Sequence, residues 1–317
     1  MSKNNITNKL SIVIPLYKSE KNLPLVYNAL STEIFPHLPD YELILVDDGS
    51  PDDSYNEAKK LHEQNEKIKV IKLSRNFGQQ AAILAGFAHI SGNCVVAIAA
   101  DLQDPISLIL EMFTRWLNGE KIIFTARKKR EEKFIDKFFI SFAAKFNKFI
   151  SKDIPSGGIG FPLIDARIAQ QLIHMDERNS AIEYQLLWMG YHKDFILFDR
   201  PKRKIGTSGW TFTKKLKIFI DCILSFSYFP IRLISAIGLI DCILSLSYAT
   251  YVICQKIFLN VSAGWSSLMV AIMFSSGVQM LTLGIIGEYL WRNFDASRKR
   301  PIYLVDSVLG FSNDKNK

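Results

Sequence analysis

Two apolar runs stop on side chains rich in oxygen. Cys94 to Pro105 reads CVVAIAADLQDP and ends on Asp101, Gln103 and Asp104, and Tyr41 to Ser50 reads YELILVDDGS and ends on Asp47, Asp48, Gly49 and Ser50. A hard divalent cation, Mg2+ or Mn2+, takes oxygen ligands and is usually held by one or two carboxylates together with substrate phosphates. Asp101 and Gln103, two residues apart just beyond a strand, could share a side and face one such site. Two acidic strand ends in one sheet, with Gly49 permitting a sharp backbone turn, describe a crevice for a ribose or base on one side and a metal ion on the other. For Asp48 and Asp104 a competing role is to cap helices that begin near Pro51 and Pro105.

Anionic groups held close together need cations. The stretch TARKKREEKFIDKFFISFAAKF, from Thr125 onward, supplies them, and Arg127 opens it. Further Lys and Arg residues gather at 202–217 and 292–300 within a formal charge of +8 and a pI near 9.1. Such clustering fits phosphate groups or a membrane surface better than a nucleic acid. Cys94, Cys222, Cys242 and Cys254 show no paired spacing, so neither a disulfide framework nor a zinc site is expected. The five histidines, His37, His62, His89, His174 and His192, are scattered and fit structural roles.

Elements that could position these residues follow from the alternation of β-rich runs with helical patterns. Strands are expected at 11–17, 41–48, 67–74, 94–101, 120–127 and 194–200. Several are apolar without alternation, as in strands covered on both faces, and the order implies βαβ units and a largely parallel α/β sheet. Ligands of such sheets bind at the C-terminal strand ends.

Beyond about residue 230 the composition changes. Leu233 to Cys254 is an almost unbroken apolar stretch interrupted by one carboxylate, Asp241, and Trp265 to Gly287 carries no charge. Each is long enough for a transmembrane helix, for which about 20 residues suffice. Basic residues before the first and after the second, with no charge in the connection Phe258 to Gly264, put both flanks on the cytoplasmic side. The polar N-terminus has no signal-peptide core. Residues 211–230, basic at one end and apolar over the rest, read as an amphipathic juxtamembrane helix. The expected organisation is therefore a catalytic domain at 1–210, that helix at 211–230, two transmembrane helices within 231–291 and a cytoplasmic tail at 292–317.

PLYKSEKNL (15–23), VDDGSPDDS (46–54), LSRNFGQQAAILAGF (73–87), ADLQDP (100–105) and GEYLWR (287–292) together resemble the family 2 polyprenyl-phosphate glycosyltransferases. These include undecaprenyl-phosphate glucosyltransferases, with the dolichyl-phosphate mannose synthases as relatives. The resemblance implies a GT-A fold in which Pro15, Tyr17, Glu20, Asp47 and Asp48 bind the nucleotide sugar. It implies that Asp101 and Gln103 hold Mg2+ or Mn2+, and that Arg127, Lys137 and Ser141 grip the lipid phosphate, with Asp101 and Arg127 as the catalytic residues. Two departures stand out: Ala99, where many relatives have an aspartate, and Gly160 and Pro162, where relatives commonly have Asp and Arg. The implied activity is inverting transfer of a hexose, glucose from UDP-glucose, onto undecaprenyl phosphate at the cytoplasmic face of a bacterial inner membrane, for cell-surface glycan or O-antigen modification. A homotetramer contacting membrane lipids, with no nucleic-acid partner, is also implied. The alternatives are a processive polysaccharide synthase, whose Gln-x-x-Arg-Trp pattern is met by Gln185-Leu186-Leu187-Trp188 without its arginine, and an inactive membrane assembly partner.

Overall fold

A computed structural model describes residues 8–127, 155, 159–175, 181–198, 229–259 and 264–311. Eight strands form one sheet: β1 (Lys9–Leu16), β2 (Asp40–Asp47), β3 (Ile68–Leu73), β4 (Cys94–Ala97), β5 (Ile122–Arg127), β6 (Ile159–Asp165), β7 (Asp194–Phe198) and β8 (Val305–Leu309). Their order is β7-β5-β6-β4-β1-β2-β3-β8. The pairs β1·β2, β1·β4, β2·β3 and β5·β7 are parallel, and β6 and β8 run antiparallel to their neighbours.

Alternation along β1 divides the core into two layers. Leu10, Ile12, Ile14 and Leu16 face one layer with Leu23, Val26 and Leu30 of α1 (Leu23–Glu33), Ala58 of α2 (Ser54–Gln64) and Ile109, Met112 and Phe113 of α4 (Leu108–Leu117). Val13 faces the other with Ala82 to Ala85 of α3 (Gln79–Phe87), Ile168, Ala169 and Leu172 of α5 (Ala166–His174) and Leu186 and Leu187 of α6 (Ile182–Trp188). Helices thus cover both faces, which explains the unbroken apolar runs. Glu42 carries a buried charge, 1 % exposed, and bonds Ser11, Ser91 and Lys69. Burial alone raises the pKa of its carboxyl, but these partners outweigh it and hold the group at about 2.

Six expected strands are present, with one difference and two additions. The run 94–101 stops pairing as a strand at Ala97, although Ile98 still donates to the Val13 carbonyl at 3.0 Å. Asp101 then lies in a turn, and Leu102 adopts φ 48. The two-residue alternation expected to put Asp101 and Gln103 on one side needs extended backbone, so it does not operate here. The last strand is described from Asp194 to Phe198, and residues 199–200 of its expected range lie outside the described residues. β6 and β8 were not anticipated. In β6, Gly160 is obligatory: a methyl group there would lie 2.3 Å from Thr125 Oγ1. An aspartate at 160 has no room beside β5, which gives that departure a packing reason.

The chain divides into two units, residues 1–209 with 301–317, and residues 210–300. The segment 301–311 therefore belongs with the sheet: Ile302, Tyr303 and Phe311 pack on the second core layer, and β8 pairs with β3. In the other unit α7 (Phe229–Leu259) and α8 (Trp265–Ser297) pack against each other. Their described apolar side chains are largely exposed, Leu246 and Phe258 at 71 % and 80 %. Ser247, Thr250 and Thr282 turn their hydroxyls back to carbonyls four residues earlier. Among the described residues no helix is long and apolar enough to cross a membrane. The side chains of Asp241, Cys242 and several others in these helices lie outside the described set, as do residues 211–228 of the expected juxtamembrane helix.

Candidate active site

The C-terminal ends of β1 and β2 and the loops after β3 and β4 enclose a crevice of about 440 Å3. Pro15, Tyr17 and Lys18 form one wall, Asp48, Asn76, Gly78 and Gln79 another, and Ala99, Ala100 and Asp101 a third. Of the residues expected at a nucleotide or metal, Pro15, Tyr17, Asp48 and Asp101 are thus brought together.

Asp48 works on the backbone. Its carboxylate accepts from the N–H groups of Phe77 and Gly78 at 2.7 and 2.9 Å, and its own N–H donates to Leu16 O at 2.9 Å. It ties the loop after β3 to the end of β1. It does not cap a helix: α2 begins after Asp53. Burial pushes its carboxyl pKa up, against the two N–H bonds that favour the charged form. Gly49, at φ 62, lets this turn pass directly over Arg75.

Asp47, the last residue of β2, is not on the crevice wall and is wholly buried. One oxygen accepts from Ser50 N at 3.3 Å, whereas Oδ2 has no hydrogen-bond partner among the described residues. Burial pushes this carboxyl up too, outweighing the Ser50 contacts and the Lys72 charge. Glu20 is not on the crevice wall, and it accepts from Asp53 N at 3.2 Å.

Asp101 is exposed, and its Oδ1 accepts from the Gln103 backbone N–H at 3.2 Å. Gln103 is not on the crevice wall. Among the described residues no cluster of three His, Cys, Asp or Glu side chains could hold a metal ion. The donor set, an open carboxylate with a neighbouring amide residue, fits a hard cation that takes its remaining ligands from water and a phosphate. Arg127 ends β5, and its guanidinium lies 4.0 Å from the Asp104 carboxylate. Asp104 does not cap α4, whose N-cap position is Ser107. Lys137 and Ser141 lie outside the described residues.

Sequence reasoning assigned no role to Lys18, Asn76, Gly78 or Gln79, although all lie inside quoted motifs. The available signal was Gly78 ahead of a helix, since glycine there marks backbone that other residues resist; it adopts φ 98. Gln185 is buried and Trp188 exposed on α6, so QLLW is a helix turn packed through its glutamine. The histidines with described bonds are structural: His62 and His89 bond the carbonyls of Ile68 and Ala85, and His192 meets Glu120.

The architecture and the chain as a whole match known proteins. Mannosyl-3-phosphoglycerate synthase from Rubrobacter xylanophilus superimposes with a TM-score of 0.51 at 14 % identity, over 73 % of this chain and 75 % of that one. The fold is GT-A-like. An uncharacterized glycosyltransferase of Synechocystis sp. is 38 % identical over 311 residues, covering 96 % of this chain and 97 % of that protein. A prophage bactoprenol glucosyl transferase homolog of Escherichia coli is 30 % identical over 305 residues, covering 95 % and 99 %. A bactoprenol glucosyl transferase of Shigella phage SfV is 30 % identical over 302 residues, covering 94 % and 98 %. The model of glycosyl transferase family 2 matches residues 11–169, and with relatives of this identity along nearly the whole chain, the protein belongs to that family.

Proposed function

We propose that this enzyme transfers glucose from UDP-glucose to a polyprenyl phosphate at the cytoplasmic face of a bacterial membrane. The observation that carries this reading is the match to proteins named bactoprenol glucosyl transferase over 94 % or more of the chain, a span that includes both long helices. The crevice at the strand ends supplies the chemistry.

Tyr17, 46 % exposed on the crevice wall, offers a ring face to the uracil. Asp47 Oδ2, buried without a partner, accepts a hydrogen bond from the nucleoside once the crevice is filled. Asp101, with Gln103 beside it, holds the Mg2+ or Mn2+ that the donor diphosphate brings or meets. When bound, such a cation offsets the charge that grows on the leaving diphosphate. Arg127 takes the acceptor phosphate, since its planar fork matches two phosphate oxygens. A phosphate monoester, with a second pKa near 6, is already largely dianionic at neutral pH, so no strong general base is needed. Direct attack by that oxygen on the anomeric carbon, with the UDP leaving from the opposite side, inverts the configuration.

The two long helices are proposed as the membrane anchor. At about 1.5 Å per residue, each exceeds the roughly 30 Å of hydrocarbon. Support comes from the uncharged run 265–287 and from exposed Leu, Ile and Phe on both helices. The product serves surface-glycan or O-antigen modification, and a homotetramer is the proposed assembly. The test is incubation of the purified protein with radiolabelled UDP-glucose, undecaprenyl phosphate and Mg2+ or Mn2+, followed by lipid extraction. Label in the lipid phase, lost on omitting the acceptor, supports the reading. Label absent from the lipid with every nucleotide sugar offered would overturn it.

A further inference from the structure

Lys18 is unexplained by the roles given so far. It follows β1 directly and adopts φ 53, one of three described residues other than glycine with positive φ. A lysine gains nothing intrinsic from left-handed backbone, and strain of this kind concentrates at sites where the surrounding structure requires it. Here the Lys18 N–H donates to Ser50 Oγ at 3.3 Å, which fixes the turn against the loop after β2. The side chain lines the crevice, with Nζ 5.6 Å from the centre of the Tyr17 ring, and it forms no ion pair among the described residues. Among the described residues of the crevice wall it is the one Lys or Arg, and it shares that wall with Asp48 and Asp101.

That balance is wrong for an anionic ligand unless each positive charge is used. Asp48 spends its oxygens on backbone N–H groups, and Ala99 and Ala100 beside Asp101 offer no side-chain ligand atoms. We propose that Lys18 binds the diphosphate of the nucleotide sugar, its ammonium brought to the crevice by the left-handed turn and steered by the Tyr17 ring. This rests on the donor reading given under Proposed function. An ammonium on a flexible stem suits the task, because the diphosphate is charged before and after transfer and its oxygens shift as the bond breaks.

The experiment is calorimetric titration of the full-length protein in detergent with UDP and, separately, with uridine, in the presence of a chelator so that no divalent cation contributes. Lys18→Met keeps the stem and the backbone strain and removes the charge; Lys18→Arg keeps the charge. Lys18→Met is expected to weaken UDP binding by about 10-fold, equivalent to roughly 1.4 kcal/mol, while uridine binding is unchanged and Lys18→Arg stays close to wild type. Equal UDP affinity in Lys18→Met and wild type overturns the proposal and leaves the donor reading standing. An equal loss for uridine also overturns it, because it makes Lys18 a support of the turn. A wild-type protein that binds no UDP under any condition overturns both.

Discussion

A single methyl group at position 49 tests how the crevice is held. In Gly49→Ala the new carbon would lie 2.5 Å from Arg75 C, 2.7 Å from Asn76 N and 2.8 Å from Arg75 Cα. All three are backbone atoms, so no flexible side chain can yield. The position also adopts φ 62, where alanine pays about 1–2 kcal/mol for left-handed backbone. Overpacking against a fixed neighbour adds about 1–3 kcal/mol. The total, about 2–5 kcal/mol, lowers the thermal midpoint on the order of 4–20 °C at some 2–4 °C per kcal/mol. Because the displaced loop carries Asn76 and Gly78 to the crevice and gives Asp48 its N–H partners, UDP affinity falls along with stability. Thermal unfolding and UDP titration of the full-length variant measure both. Gly49→Asn separates the causes: asparagine tolerates left-handed backbone but carries the same Cβ, so it should recover at most the backbone share of the alanine loss and keep the overpacking share of about 1–3 kcal/mol. If Gly49→Asn unfolds and binds like wild type, the close approach is not what requires glycine.

Asp101→Asn should lower kcat by roughly 10²–10³ while the fold survives, since the residue is exposed, and should flatten the dependence of rate on Mg2+ or Mn2+; wild-type turnover with intact metal dependence removes the assignment. Arg127→Lys should raise KM for polyprenyl phosphate and lower kcat with little change in KM for the nucleotide sugar, whereas a defect confined to the nucleotide sugar moves Arg127 to the donor. Glu42 gives the pH prediction: its folded pKa, about 2, lies below the ordinary 4.5, so its contribution is fully present above 4.5 and lost as pH falls through 2. That separation is worth roughly 3 kcal/mol. Urea unfolding of wild type across this window should show the loss and Glu42→Gln should not; parallel curves refute it.

The parallel strands were legible because each is a β-rich run that meets polar residues at its C-terminal end. Strand β6 was not, since SGGIGFPLID puts glycines and Pro162 where strand preference is weakest. It forms because β4 and β5 offer edges on either side, with a register shift between Phe124 and Ala126. Strand β8, five residues with an aspartate and a serine, exists through its pairing with β3. The acidic strand ends were visible as candidates, but the division of labour among them was not. Which carboxylate braces a loop and which stays open depends on the Phe77 and Gly78 N–H groups, thirty residues away in sequence from Asp48. Likewise, the spacing of Asp101 and Gln103 suggests a shared side only while the backbone remains extended, and Leu102 ends that.

The position of β8 at the sheet edge sets an order of events during synthesis. Its partner β3 is complete by Leu73, yet β8 emerges only after both long helices have been made. Until then β3 is an open edge, with Val70 and Ile71 among its residues, and an unpaired edge is a template for pairing between chains. A nascent catalytic unit therefore waits, with its edge exposed, through translation of the helical segment. Chains stalled or cut between Leu73 and Val305 keep that edge uncovered, which makes aggregation, more than loss of the crevice, the first failure expected of them.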